Sequence, residues 1–177
     1  LANFYLRPRG RGIPVAEGLG KAIEELESLK ELTPEDERVY YFLGGAYFEN
    51  NEPQKAIESY EKFQTLASNT DRGYQEIARY YNRSGLPETA IEYLIKGLEI
   101  QPDSSETLWL LGNTYAKLGK HEEAIRHYKE ALRINPRDSQ SHNNIGVTLA
   151  EQGKFEEAVI HFSQAVKINP NFTEAQR

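Results

Sequence analysis

The chain has 177 residues, a net charge of -6, 38% hydrophobic residues, no cysteine and a mean hydropathy of -0.69. That composition removes disulfides, thiolate metal sites and cysteine nucleophiles, and the acidic balance argues against generic nucleic-acid binding, which relies on many Lys and Arg neutralising phosphates. Its longest nearly apolar run, residues 40–48, is far short of the ~20 residues that span a bilayer as a helix.

Residues 1–15 read as a basic extended arm or linker. Arg7, Arg9 and Arg11 stand among residues 1–14 without an acid, so the remaining chain carries -6 minus 3, or -9. Pro8, Pro14, Gly10 and Gly12 break helical pattern there. Phe4 and Tyr5 beside the arginines suit a linker, a contact with an anionic membrane surface, or a return onto the acidic body. Residues 16–36 follow with Ala22, Leu26, Leu29 and Pro34, which predict one helix over 16–31, the second half of a degenerate unit that caps what comes next.

From residue 37 the chain repeats itself. Gly44, Ala78, Gly112 and Gly146 advance in steps of 34, as do Ala56, Ala90, Ala124 and Ala158. Tyr60, Leu94, Tyr128 and Phe162 keep the same step, and so do Pro102, Pro136 and Pro170. A period of this length marks stacked supersecondary units that bury apolar surface only against their neighbours. The clearest unit, 105–138, places Leu108, Leu111, Gly112 and Tyr115 at helical spacing, a break at Gly119, then Ala124, Tyr128, Ala131 and a stop at Pro136. It reads as helix, turn, helix, with Asp138 or Ser139 capping the next helix. Gly112 and Ala124 are small because the two helices approach closely there, and Gly119 suits the left-handed position after a helix end.

These residues resemble the tetratricopeptide repeat family, with units at 37–70, 71–104, 105–138 and 139–172 and a truncated capping helix beginning at 173–177. The first unit departs from the pattern at Phe63 and lacks the closing proline; the fourth has His142 where an aromatic is usual. The resemblance implies an all-α, right-handed superhelical solenoid whose first helices line a concave face. The opening at Leu1 without methionine and the close at Arg177 predict a segment of something longer. A cytoplasmic location is the expectation.

On the concave face the resemblance places Tyr41 and Phe42 in the first unit, Arg72, Arg79 and Arg83 in the second, Trp109, Leu110, Asn113 and Lys117 in the third, and Asn144 in the fourth. Three arginines spaced by seven and four form one helix stripe. With Trp109 and the amides they can hold a carboxylate and an apolar side chain together. The bland alternative pairs Arg72 and Arg79 with Glu76, and packs Trp109 against the neighbouring unit. Asn113 and Asn144 alone match the two-carboxylate clamp of some tetratricopeptide domains, with Trp109 in place of its first lysine, so that specialised function is not expected.

No enzyme, metal or cofactor is expected. His121, His127, His142 and His161 are scattered along the repeat, and the pairs Glu122–Glu123 and Glu156–Glu157 open second helices, where acids favour the positive end. The expected function is a protein-interaction scaffold that takes an extended, acidic or C-terminal peptide in its groove. The alternatives are a regulatory or targeting segment of a larger enzyme such as a membrane glycosyltransferase, and a self-assembling scaffold; a membrane enters only through the arm or a parent protein.

Overall fold

The computed structural model describes residues 15–171. The expected arm, apart from Val15, and the expected start of a capping helix at 173–177 lie outside the described residues. The described chain forms α1 (Val15–Leu32), α2 (Glu37–Glu49), α3 (Pro53–Leu66), α4 (Arg72–Arg83), α5 (Pro87–Ile100), α6 (Ser105–Lys117), α7 (His121–Ile134), α8 (Ser139–Glu151) and α9 (Phe155–Ile168), with no strand among the described residues. Each helix packs chiefly on its neighbours in the chain, and α2/α3, α4/α5, α6/α7 and α8/α9 are the tight hairpins. The result is the all-α repeat solenoid that the 34-residue period predicts.

Caps recur with the same period. Asp36 accepts from the Arg38 amide at 3.1 Å, Thr70 from Arg72 at 3.3 Å, and Ser104 from Thr107 at 3.3 Å. Asp138, one of the two caps the sequence offers, accepts from both Gln140 and Ser141 at 3.2 and 3.0 Å. A short side-chain acceptor at each site satisfies amides that the first turn leaves unpaired. Between the paired helices the chain turns through a left-handed residue, Gly119 at φ 68° in the third unit and Asn51 at φ 60° in the first. Asparagine is the side chain that tolerates this conformation best after glycine, which explains why the first unit turns without one.

Within a hairpin the close approach is real. A Cβ added at Gly112 would lie 2.4 Å from the Tyr128 ring, so nothing larger than hydrogen fits without moving it. Ala78 is accommodated in the second unit because its partner, Leu94, has no ring. The core is a line of linked clusters rather than one centre. Leu43 and Ala46 pack with Leu26 of α1. Leu94, Leu110 and Leu111 join the second unit to the third, and Tyr128, Ile145 and Leu149 join the third to the fourth.

The junction between the second and third units also holds a buried polar knot that periodicity does not reveal. Asp71 is 3% exposed and accepts from the Thr107 hydroxyl, while Gln75 Nε2 donates to Thr107 Oγ1 at 3.0 Å and to Ser104 Oγ at 3.4 Å. The same register holds Glu37, which is not buried, in the first unit and Ser105 and Ser139 in the third and fourth, so a buried carboxylate at this position belongs to this junction. Replacing Asp71 with alanine leaves the buried Thr107 hydroxyl without its acceptor, which costs about 1–3 kcal/mol. A urea titration followed by circular dichroism should show the loss, and Asp71→Asn should recover part of it.

Candidate functional site

Polar residues of the first helices gather in the middle of the array. A cavity of about 330 Å³ lies between α4 and α6, with Arg79 and Arg83 on one wall and Trp109, Asn113 and Lys117 on the other. Helical spacing accounts for this: Arg79 and Arg83 are one turn apart on α4, and Trp109, Asn113 and Lys117 are successive turns of α6. Five of the nine residues predicted for the site therefore converge.

Their partners differ from the expected ones. Arg79 is ion-paired to Glu106 on the next unit's first helix, not to Glu76 on its own. Glu76 instead accepts from the Tyr41 hydroxyl at 3.4 Å. Lys117 reaches back across the junction and donates to the backbone carbonyl of Asn82 at 2.8 Å. These contacts run between units, because consecutive first helices lie side by side, with Tyr41 beside Glu76 and Asn82 beside Lys117.

Trp109 stands between the apolar core and the cavity. It packs against the apolar clusters on either side of α6, and it also lines the cavity. Behind it stands a chain of side-chain hydrogen bonds. Tyr128 donates to Asn113 Oδ1 at 2.7 Å, and the Asn113 and Asn144 amides bond at 2.7 Å. In the alternative orientation of the Asn144 amide, its oxygen accepts from Trp109 Nε1 at 3.3 Å and its nitrogen donates to the Gln140 carbonyl at 3.3 Å; the Asn113 amide then turns with it and donates to both Asn144 and the Tyr128 hydroxyl. Burial raises the Tyr128 phenol above its ordinary pKa, which keeps its proton available to Asn113. Asn144 is thus a support for the wall. Leu110, placed on the open face by register, is only 4% exposed because the second-unit cluster closes over it.

Tyr41, Phe42 and Arg72 do not join this cavity. Phe63 occupies the position held by Gly97, Ala131 and Ala165 in later units, and its bulk engages the Tyr41 ring at 5.2 Å between centroids. Arg72 also lies over that ring, 4.7 Å from its centroid, a cation–π contact. Burial, followed by the Glu76 carboxylate, raises the Tyr41 pKa. Phe42 lines a separate groove against α1.

The histidines are less scattered than their spacing suggests. His142 and His161 face one another with Nδ1 atoms 3.3 Å apart, in the register that holds the Tyr74–Tyr93 ring pair of the second unit. Burial pushes both below the ordinary histidine value of 6.5; Lys129 opposes the charged form of His161, while Asp138 and Glu157 favour charge on His142 and His161 respectively. Among the described residues no group of three or more His, Cys, Asp or Glu is placed to hold a metal ion. With folded pKa values below the unfolded ones, the unfolded chain binds more protons, so stability rises with pH. The contribution is present above about pH 6.5 and is lost as pH falls through the folded values. Thermal melts should therefore show the fourth unit weakening on acidification from neutral pH, and His142→Gln with His161→Gln should flatten that slope.

No helix among the described residues is long and apolar enough to cross a membrane. Comparison with known families matches a tetratricopeptide repeat to residues 37–70 and 71–104, a second tetratricopeptide repeat to 139–172, and a TPR repeat to 112–153. No curated protein matches the chain. Among solved structures, a crystal structure of MamA is 22% identical with a TM-score of 0.73, covering 94% of this chain and 99% of that one. MamA 41-end from Desulfovibrio magneticus RS-1 is 17% identical, with a TM-score of 0.72 and 88% of each chain covered. YrrB, described as a TPR protein with an unusual peptide-binding site, is 22% identical with a TM-score of 0.69, covering 89% of this chain and 81% of that one. With repeat matches over 37–104 and 112–172 and the solenoid fold beneath them, the chain belongs to the tetratricopeptide repeat family, a family of protein-interaction scaffolds.

Proposed function

We propose that the chain is a non-enzymatic scaffold that captures an extended peptide bearing a carboxylate, from an acidic side chain or a free C-terminus, between α4 and α6. The observation that carries this reading is one cavity holding Arg79, Arg83 and Lys117 beside the indole of Trp109. Cations with several donors suit a carboxylate, and a flat amphipathic ring suits an apolar side chain next to it. Asn82 and Asn113, also in the wall, are suited to backbone amides of an extended strand. YrrB, with its described peptide-binding site, supports peptide capture on this fold.

Trp109 is the chain's one tryptophan, so its emission reports on the cavity directly. Titration with short peptides carrying Asp or Glu and a free C-terminus should shift that emission with saturable, salt-weakened binding. The same peptides amidated and with Asn and Gln substituted should bind less tightly. Equal binding of charged and neutral peptides, or no saturable shift with either, would contradict the assignment.

A further inference from the structure

The fourth hairpin brings together two metal-ligating side chains, one from each of its helices: His142 in the first turn of α8 and His161 in the middle of α9. The same register holds Tyr40 and Ser59 in the first unit, Tyr74 and Tyr93 in the second, and Leu108 and His127 in the third. Only the fourth unit therefore offers an imidazole from both helices. The two rings are inclined by 36° with centroids 5.5 Å apart, so they are not stacked face to face and meet through their Nδ1 edges.

The spacing of those edges is that of two ligands on one ion. With Nδ1 atoms 3.3 Å apart and the ~2.0–2.1 Å bonds that zinc makes to histidine nitrogen, an ion seated on both subtends about 104–111°, a tetrahedral angle. Neutral imidazole is the ligating form, and burial favours it for both rings. Without an ion one ring donates through Nδ1 and the other accepts. Freeing both lone pairs requires the donor ring to carry its proton on Nε2 instead, an exchange of tautomers with no net loss of a proton. Both residues are partly exposed, so water can mediate that exchange. Asp138 adds negative charge near His142, Glu157 does so near His161, and Lys129 opposes it at His161.

We propose that His142 and His161 form a site for a divalent transition-metal ion of the zinc, copper or nickel class, bound through both Nδ1 atoms with water completing its shell. Imidazole nitrogen suits these ions, whereas magnesium and calcium prefer oxygen. The two ligands come from different helices of one hairpin, so the ion ties α8 to α9. Its binding favours the folded array, because the unfolded chain does not hold the two rings at a fixed distance. With two protein ligands the site is open and exchanges its ion, unlike a closed four-ligand structural zinc site. Neither histidine lines the cavity between α4 and α6, so the site stands independently of peptide capture.

The test is a Zn²⁺ titration of the full chain by calorimetry, repeated for His142→Leu and His161→Tyr. These substitutions copy Leu108 and Tyr93 of the same register, so the hairpin keeps its packing, which circular dichroism of the metal-free variants checks. Saturable binding of one ion is expected, weakened about tenfold or more in each variant, unchanged in His121→Gln, and without comparable uptake of Mg²⁺. In ¹H–¹⁵N spectra of the imidazoles of the unaltered chain, the Nδ1 resonances of His142 and His161 should move together on addition of Zn²⁺ while both Nε2 atoms keep their protons. That reading needs no substitution and decides the matter even where a variant is unstable. Equal binding by the unaltered chain and both variants would mean an adventitious ion only and overturns the proposal. Coordination through Nε2, or no saturable binding, overturns it as well.

Discussion

Truncation of Tyr128 to alanine is expected to destabilise the array by about 3–5 kcal/mol, the range for removing a buried aromatic ring. Tyr128 is 2% exposed, its ring fills the space that Gly112 leaves, and its hydroxyl anchors Asn113. The loss comprises transfer, cavity and one hydrogen bond, and Tyr128→Phe isolates the last at about 1 kcal/mol. Because each unit contacts only its neighbours, the damage is expected to concentrate in α6–α9, with α2 and α3 retaining their protection. Hydrogen exchange resolved by segment is the measurement. A uniform loss across all helices would mean that the array melts as one body.

Trp109→Ala is expected to weaken capture of a carboxylate peptide by about 2 kcal/mol, roughly thirtyfold in Kd, as for an aromatic anchor at an interface centre. The substitution also removes packing from both flanking clusters, so Trp109→Phe is the informative companion. Phenylalanine retains apolar contact but cannot donate to Asn144, and should lose only a minor part of the affinity. Calorimetry on the two variants separates the roles. Unchanged affinity in Trp109→Ala, with the fold intact, would remove the cavity from the binding reaction.

Architecture was legible in the sequence because size selects the repeating positions. Gly112 must be small opposite Tyr128 and Gly119 must turn left-handed, so their spacing carries the fold directly. The site was legible in part for the same reason. Register along a helix tells which residues share a stripe, and it brought Arg79, Arg83, Trp109, Asn113 and Lys117 to one place. Register does not tell what a long side chain grips. Arg79 chose Glu106 across the junction, Lys117 a carbonyl on α4, and Arg72 the ring of Tyr41. The buried Asp71 knot escaped for a related reason, since it joins residues that the period treats as unrelated. His142 and His161, nineteen apart in number, meet because the hairpin folds one turn onto the other.

The Arg79–Glu106 pair has a bearing on how any acidic ligand is held. Glu106 already occupies part of the guanidinium, so an incoming carboxylate gains only the difference between its own contact and one the protein makes for itself. For the carboxylate-bearing peptide proposed above, an internal competitor of this kind would lower the net affinity, and without a ligand it keeps the guanidinium neutralised.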